Sequence, residues 1–433
     1  MTLLQRVRAE RVLMLGGAVE GSLVEIMKYP DIKRVDYVDQ NRLLRQLASE
    51  KGFLVGDSLV EVWDMDPVYF LKKNPGKYDV ILVIQPPPSG AQFNRLFTVG
   101  FFRSSMASLS PGGVLSVSLP SSRNYLSDEE LQMHSSIYRS LKEVFDKVLV
   151  IPANRTYFLA SDSALSPNYE ALIQQVDIQN KYVNPDYLDD RLLQIRSDRL
   201  TQSFIEDIPL NENLRPVVYS IYIRHWLSYF GISFWVIPFL CILAILAYYL
   251  SAGKFPTAMF TSGLTGVSAE LILIVVYQVL FGNIYLFLGI IITTFMAGLA
   301  FGSRISMQCK MKDPLHMMYF VQFFSGIYIL SIAATIYFIG DIQNMIVVKI
   351  LFMFTMFILA SFTGLQYGVS VCHRKSYAAE AVSTVYSADL VGAAIGSLAV
   401  TVWVIPLVGV LKAVLILSGL HFLTLILIRL KRK

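Results

Sequence analysis

Glycines and an acid near the start of the chain have the types and spacing of a nucleoside-binding site. Gly16, Gly17 and Gly21 form a glycine-rich turn between an apolar run and a helical pattern. Glycine lets the backbone approach a ligand closely, and the start of the following helix presents free N–H groups. Asp39 ends a second apolar run, where a carboxylate can bond ribose hydroxyls.

These residues need elements that bring them to one edge of a sheet. Short apolar runs alternate with helical patterns, which predicts a doubly wound, mostly parallel sheet with an added antiparallel hairpin. The fold class is therefore α/β Rossmann-like, of the AdoMet-dependent methyltransferase type. The predicted strands are 11–15, 35–38, 59–63, 78–84, 114–119, 147–151 and 157–160.

Composition divides the chain into two parts. The chain has 433 residues, of which 54% are hydrophobic and 16% are charged, whereas soluble proteins average about a quarter charged. Residues 1–225 hold 27 acids and 25 bases, and residues 226–433 hold 5 acids and 12 bases. This excludes an ordinary soluble enzyme and a nucleic-acid binder, and it predicts a soluble domain followed by a membrane domain. The three cysteines form no metal or disulfide pattern.

We expect three regions: a nucleotide-binding domain at 1–165, a helical connector at 166–226 and an all-α multi-pass transmembrane domain at 227–433. The connector is expected against the front domain or along the membrane surface. The last region has seven apolar stretches of about the length that spans a bilayer. They are 231–250, 257–281, 284–303, 316–339, 343–371, 384–406 and 409–429.

Polar and small residues inside these stretches carry two further predictions. Glu270 and Asp389 are acids within apolar stretches. An acidic side chain inside a membrane is costly unless it faces the interior of the helix bundle. Two interpretations remain open: a cation or proton site, or a packing hydrogen bond with a neighbouring polar side chain. Small residues four apart predict closely packed helices. These are Gly298 with Gly302, and Gly392 with Gly396.

Six motifs in order resemble the spermidine synthase (polyamine aminopropyltransferase) family over residues 11–165, and most closely its membrane-fused branch. They are LGGAVEGSLVEIMKYP, VDYVDQN, DPVYFL, YDVILVIQPPP, LFTVGFF and SPGGVLSVSLPS, and the stretch at 124–127 also fits that branch. The resemblance implies that Gly16, Gly17 and Gly21 wrap a nucleoside. It also implies that Asp39 holds the ribose and Asp66 bonds the adenine amine. The implied ligand is decarboxylated AdoMet or AdoMet, with no metal.

The same resemblance shows that acids are missing from the amine half of the site, the part that handles the attacking amine in the family. The family's loop acid corresponds to Val19, and the two acids of its D-x-x-D motif correspond to Ile84 and Pro87. A polyamine amine is protonated at neutral pH and must lose a proton before it attacks, so a carboxylate is expected nearby. Glu20 could replace the loop acid, although a solvent-facing position is the preferred interpretation. Asp79 begins the fourth strand, too far from the site to replace the others.

Three functions remain open. The first is a membrane-bound aminopropyltransferase-like transferase, with catalysis in doubt because the amine-site acids are replaced. The second is an AdoMet-dependent methyltransferase. The third is a polyamine or small-cation transporter or sensor with a non-catalytic domain. The expected partners are the lipid bilayer and a polyamine or nucleoside, but no nucleic acid, and the oligomeric state stays open.

The predicted location is the cell (inner) membrane, with two indications that disagree about orientation. A nucleoside-binding domain is expected in the cytoplasm. With seven spans, however, most loop cations share the side opposite the front domain, and the positive-inside rule makes that side cytoplasmic. They are Lys254, Arg304, Lys310, Lys312, Arg374, Lys375 and the cluster at 429–433. His134 lies on a polar helical pattern and is expected at the surface.

Overall fold

A computed structural model describes the chain except for several short segments. The chain divides into two compact units, Met1–Trp226 with Phe281–Asn283, and Leu227–Leu280 with Ile284–Lys433. Part of the 124–127 motif, Cys309 and the cations Lys310, Lys312, Arg374 and Lys375 lie outside the described residues. The undescribed positions are 7, 54–57, 74–75, 122–125, 177, 179–182, 185–186, 283–284, 309–312, 340–343, 373–377 and 432–433.

The first unit is built on a seven-stranded mixed sheet of order β3-β2-β1-β4-β5-β7-β6. The first five strands are parallel, and the last two form an antiparallel pair at the edge. The Rossmann-like fold class and the edge hairpin are confirmed. The strands are β1 (Arg11–Leu15), β2 (Arg34–Val38), β3 (Val60–Trp63), β4 (Tyr78–Val83), β5 (Leu109–Pro120), β6 (Lys147–Pro152) and β7 (Arg155–Ser161).

Helices cover both faces of this sheet, as the buried central strands require. The longest is α6, which begins with a capping box in which Ser127 and Glu130 satisfy each other's backbone N–H groups. The helices are α1 (Ser22–Ile26), α2 (Arg42–Glu50), α3 (Pro67–Lys73), α4 (Ala91–Asn94), α5 (Val99–Ser108), α6 (Asp128–Lys142), α7 (Tyr169–Ile173), α8 (Asp190–Ser203) and α9 (Val217–Ser228).

A buried acid joins three strands of the first unit. Asp36 of β2 is fully buried and accepts hydrogen bonds from the indole of Trp63 at 3.0 Å and the hydroxyl of Tyr78 at 2.9 Å. The guanidinium of Arg34 bonds the same carboxylate at 2.9 Å. Burial, and next the charge of Asp36, raises the pKa of Tyr78, so this hydroxyl stays a donor. The network ties β2 to its neighbour β3 and, across β1, to β4.

The segment after the edge hairpin packs on the first unit, one of the two positions that the sequence allowed. Ile208, Val218 and Ile221 belong to the same buried core as the central strands. Asn211 is fully buried, and its amide donates to Asn94 at 3.1 Å and to the carbonyl of Phe97 at 2.9 Å. These bonds hold the segment against α4 and α5.

His134 is buried, so the prediction of a surface position is wrong. Its ring lies 5.9 Å from that of Phe158, and its Nδ1 is 2.6 Å from the carbonyl oxygen of Glu130. The packed segment covers the polar face of α6, where Ser136 donates to the carbonyl of Pro209 at 2.8 Å. Burial lowers the pKa of His134, which favours the neutral ring.

The second unit is all-α. Within the described residues, six of its helices are long and apolar enough to cross a membrane, which indicates a multi-pass membrane protein. The first helix has only 16 residues, which span about 24 Å. The helices are α10 (Val236–Ser251), α11 (Lys254–Phe281), α12 (Tyr285–Gln308), α13 (Pro314–Ile339), α14 (Met345–Cys372), α15 (Ala378–Ala399), α16 (Ile405–Val408) and α17 (Val410–Leu430), with a π-helical turn at Val400–Val404.

The short helix α10 nevertheless runs between the two ends of this bundle. At one end, which we call the Trp403 end, the indole of Trp403 donates to the carbonyl of Phe234 at 3.0 Å. At the other, the Lys431 end, the ammonium of Lys431 donates to the carbonyl of Ala252 at 2.7 Å. The hydroxyl oxygen of Tyr249, near the end of α10, lies 2.7 Å from the hydroxyl oxygen of Thr424 in α17. The chain therefore crosses the bundle once before α11 begins.

Two helix pairs approach backbone to backbone, as the glycine spacing predicts. A Cβ atom at Gly298 or Gly302 of α12 would overlap the carbonyl oxygens of Phe357 and Ser361 in α14. In the same way, Gly392 and Gly396 of α15 face carbonyl oxygens of α11. Such contact is available only to glycine, so both small-residue faces are confirmed.

We expect Gly302→Leu to destabilise the second unit by about 1–3 kcal/mol, because the new side chain must push α14 away from α12. Gly289→Leu on the same helix is the matched control, since no atom lies within 4 Å of a Cβ placed there. Unfolding of the full chain by titration with SDS measures both variants. Equal stability of the two would contradict the packing described here.

Candidate functional site

The glycine turn after β1 has a backbone that side chains disfavour. Gly16, Gly17 and Gly21 have φ angles of 79°, 82° and 71°, in the left-handed region. The N–H of Gly16 donates to the carbonyl of Val38 at 3.0 Å, which ties the turn to the end of β2. Gly21 precedes α1 with open space where a Cβ would stand.

The segment after β4 lies directly on this turn. A Cβ at Gly17 would stand 2.6 Å from Cγ2 of Ile84, and one at Gly16 would stand 2.5 Å from the carbonyl oxygen of Ile84. The amide of Gln85 donates to the carbonyl of Leu15 at 3.1 Å. Ile84 stands where the resemblance implies a catalytic acid. An apolar side chain therefore covers the turn.

Asp39 lies at the end of β2 on the same edge of the sheet. Its carboxylate accepts hydrogen bonds from the hydroxyl of Tyr37 and the N–H of Asn41, both at 2.8 Å. The side chain is partly exposed, and a carboxylate has about four acceptor positions. Asp39 thus keeps acceptor capacity toward solvent, as a ribose-binding acid requires.

Asp66 lies at the same edge, in a buried ion pair with Arg95. Both side chains are at most 4% exposed. One guanidinium nitrogen donates to Oδ1 of Asp66 at 2.9 Å, and a second contacts Oδ2. The N–H of Tyr69 also donates to Oδ1 at 2.9 Å, so Asp66 caps α3. Burial lowers the pKa of Arg95 to about 10.

Among the described residues, the three positions that the resemblance implies for acids of the amine half, Val19, Ile84 and Pro87, hold no acid. Val19 is exposed and Pro87 is partly exposed. Asp79 lies at the opposite end of β4, where it accepts from the N–H groups of Glu10 at 2.8 Å and Arg11 at 3.0 Å. Burial would raise the pKa of Asp79, but these bonds, one from Ser110 and the charge of Arg6 lower it. Asp79 therefore stabilises the sheet at the end opposite the glycine turn.

Glu20 is exposed beside the turn, in agreement with the preferred interpretation. It lines a cavity of about 380 Å³, together with Ser22 and Glu25 of α1 and Ile84 after β4. Glu25 is paired with Lys28 at 2.7 Å. Glu20 is thus the acid nearest in sequence to the lost loop position.

The residues fit one half of an AdoMet-type nucleoside. The glycine turn and the partly exposed Asp39 suit the ribose. Asp66 has one of its acceptor positions left after its three bonds, so the adenine amine would meet a carboxylate already held by Arg95. The aminopropyl and amine groups would meet Ile84 and Pro87, which neither accept a proton nor carry charge.

The two intramembrane acids belong to the second unit. Glu270 of α11 and Asp389 of α15 are partly exposed, and neither has a hydrogen bond or ion pair among the described residues. An Oδ1 of Asp389 lies 2.5 Å from a Cβ placed at Gly263. Ser268 of α11 is a polar side chain near Glu270 in the sequence, and its hydroxyl is also without a partner in the described part of the chain. Both interpretations of these acids stay predictions.

Sequence reasoning missed Arg95 and the network around Asp36. Arg95 was hidden in the segment between the predicted fourth strand and the next helix, where a basic residue normally faces water. A signal was available for Asp36, because it is an acid in the middle of a buried parallel strand. No pattern in one sequence indicates that Arg95 reaches Asp66 across 29 positions.

Comparison with known proteins identifies the first unit. Residues 1–159 match the family described as "Spermine/spermidine synthase domain". The N-terminal part of the chain is therefore a spermine/spermidine synthase domain, and six long apolar helices follow it.

Curated relatives are polyamine aminopropyltransferases. The one from Oceanobacillus iheyensis is 37% identical over 115 residues, which are 25% of this chain and 22% of the relative. The one from Bacillus subtilis is 28% identical over 190 residues, or 41% of this chain and 66% of the relative. A match in Prochlorococcus marinus covers 48% of that protein. The chain thus spans less than half of the length of some of these relatives.

Two crystal structures of spermidine synthase are similar to the chain. One, in complex with the transition-state analogue AdoDATO, has 19% identity and a TM-score of 0.40, over 47% of this chain and 71% of that one. The structure of the enzyme from Thermotoga maritima has 18% identity and a TM-score of 0.37. The match covers 47% of this chain and 70% of that one.

We expect Arg95→Met to cost about 3–5 kcal/mol of stability, because Asp66 would stay buried without a counter-ion. Adding Asp66→Asn should restore part of the loss by removing that charge. Urea unfolding of the full chain in detergent, followed by tryptophan emission, measures both. Arg103→Met is the matched control, since Arg103 lies 3.9 Å from Glu143 with both side chains exposed. A loss no larger than that of the control would contradict a tight pair.

Proposed function

We propose that this protein is an integral membrane protein whose first unit binds the adenosine part of an AdoMet-derived nucleoside without transferring an aminopropyl group. One observation carries the proposal. The ribose half of the edge, formed by the glycine turn and Asp39, is kept, whereas Ile84 covers the turn where an acid is needed. Decarboxylated AdoMet, AdoMet and methylthioadenosine share this adenosine part and are the ligands we propose.

The absence of catalysis follows from proton chemistry. An alkylammonium group with a pKa near 10.4 must be deprotonated before its nitrogen can attack. Ile84 cannot accept that proton, and the ring of Pro87 offers neither charge nor an N–H group. Glu20 is exposed and lies on the α1 side of the turn. The geometry therefore supports binding better than transfer, and better than a methyltransferase, for which no substrate residue can be named.

A role as transporter or sensor is the second candidate, and a separate observation favours it. Polar side chains without partners among the described residues lie deep in the second unit, including Gln322 and Gln366, each 0% exposed. Buried polar groups in a membrane bundle are costly, and such groups can line ligand or ion paths. Polyamines or small cations are the substrates we propose for this role.

We expect the purified full chain to bind methylthioadenosine, AdoMet or decarboxylated AdoMet in isothermal titration calorimetry. Asp39→Ala should weaken binding by about 10- to 100-fold, since a hydrogen bond to a charged group contributes about 1.5–3 kcal/mol. Asp31→Ala, the loss of an exposed acid away from this edge, is the control and should bind normally.

Two results would contradict the proposal. Absence of binding to all three nucleosides would remove the adenosine site. Formation of spermidine from putrescine and decarboxylated AdoMet by the full chain would show that the amine half works without the lost acids.

We further propose that the first unit lies on the non-cytoplasmic side, which the loop charges favour, although a nucleoside-binding domain is expected in the cytoplasm. Because α10 crosses the bundle, the chain enters the second unit at the Trp403 end. Among the described residues of the second unit, the cations Lys254, Arg304, Arg429 and Lys431 belong to the Lys431 end, whereas Lys349 and Lys412 belong to the Trp403 end. The positive-inside rule places the Lys431 end in the cytoplasm.

Cysteine labelling of intact cells tests this orientation. In a variant without the native cysteines, Ser89→Cys should react with a membrane-impermeant maleimide, because Ser89 is exposed on the first unit. Asp313→Cys, exposed at the start of α13, is the control and should react only after the cells are opened. The reverse pattern would place the first unit in the cytoplasm.

A further inference from the structure

A small polar cavity lies among four helices of the second unit. Its volume is about 10 Å³, the space of one water molecule. Its polar lining comes from α11, α13, α14 and α17, and all of these side chains but Tyr328 are at most 7% exposed. They are Ser262, Thr265, Ser325, Tyr328, Thr363 and His421.

The hydrogen bonds of Thr265 fix the tautomer of His421. The hydroxyl of Thr265 donates to the carbonyl of Thr261 at 2.8 Å, so its proton is already used. Its oxygen lies 2.7 Å from Nε2 of His421 and must therefore accept from Nε2–H. In the neutral ring, Nδ1 then carries a lone pair. It has no hydrogen-bond partner among the described residues and is buried.

Other oxygens of the lining are acceptors for the same reason. The hydroxyl of Tyr328 donates to the carbonyl of Thr355 at 3.0 Å, and that of Thr363 donates to the carbonyl of Leu359 at 3.4 Å. Their free lone pairs, like Nδ1 of His421, can only accept. The hydroxyl of Ser262 has no partner in the described part of the chain and can donate or accept. Acceptors therefore outnumber donors in this lining, which favours a ligand that donates hydrogen bonds.

Further polar groups continue from the cavity toward the Lys431 end. Gln322 precedes Ser325 by three residues on α13, and Gln366 follows Thr363 by three residues on α14. Both amides are fully buried and, in the described part of the chain, unpaired at both atoms. Ser370, one turn beyond Gln366, is also without a described partner. A small ligand that can hydrogen-bond thus has polar contacts on its way in.

We propose that this cavity binds one hydrogen-bond donor of water size, either a water molecule or an ammonium ion, which donates to Nδ1 of His421. Both ligands offer several N–H or O–H groups to converging acceptors, and both fit the volume. An apolar lining would leave such a cavity dry, whereas three or more polar partners are what a buried water requires. The site is independent of the nucleoside site proposed above.

Nitrogen NMR of the full chain tests the proposal. The protein is labelled with ¹⁵N-histidine and placed in lipid nanodiscs, and the His421→Asn variant identifies the His421 signals among those of the five histidines. We expect the Nδ1 resonance to have the upfield shift of an acceptor that receives a hydrogen bond. A shift with ammonium chloride, but not with sodium chloride at equal ionic strength, identifies ammonium, and no change identifies water.

Variants of the lining give the matched control. Ser262→Val fills the cavity and should move the Nδ1 resonance to the value of a free ring nitrogen, and Ser325→Val serves the same purpose if the first variant does not fold. Ser331→Val, on the exposed face of α13, should leave it unchanged. A free-nitrogen resonance in the unmodified protein would overturn the proposal, as would one that neither filling variant moves.

Discussion

The contact between Ile84 and the turn at Gly16 and Gly17 determines the rest of the candidate site. Only glycine leaves room for this contact, because any Cβ would occupy the space of Ile84 or Gln85. The contact joins the ends of β1, β2 and β4, since Gly16 also bonds Val38 and Gln85 bonds Leu15. The turn is therefore held in one position, with Asp39 beside it. The same contact covers the place where the resemblance implies an acid, so under the proposed function one contact accounts for both the nucleoside half and the missing amine half of the site.

Close approach through glycine also organises the second unit, in a different solvent. In the bilayer, apolar side chains gain little by meeting one another, so backbone packing and hydrogen bonds hold helices together. Gly302 against Ser361 is an example of the first, and Lys431 against Ala252 is an example of the second. Between these contacts, polar groups from four helices converge, and several of them have no hydrogen-bond partner among the described residues. The same bundle thus combines close helix packing with the free-energy cost of burying unpaired polar groups.

Much of this fold could be predicted from the sequence, because it depends on local patterns. Apolar runs bounded by turn residues locate each strand, and alternation with helices implies parallel pairing. The glycines and Asp39 follow from their places at strand ends. Contacts between distant residues could not be predicted. Arg95 reaches Asp66, and the segment around Pro209 covers His134, only because the chain returns to the same place. The length of α10 was also missed, since hydropathy does not show where a helix begins.

Three threonines of α11 form a stripe of hydrogen-bond acceptors along one face of that helix. Thr257, Thr261 and Thr265 each donate to the carbonyl four residues earlier. With their protons donated inside the helix, these hydroxyls present oxygen lone pairs outward, where donors on neighbouring helices can bond them. Lys431 donates to Thr257, the hydroxyl of Tyr249 meets Thr261, and His421 meets Thr265. The row of threonine acceptors therefore pairs with donor groups on α10 and α17. These pairs set the rotation of the two helices about their axes.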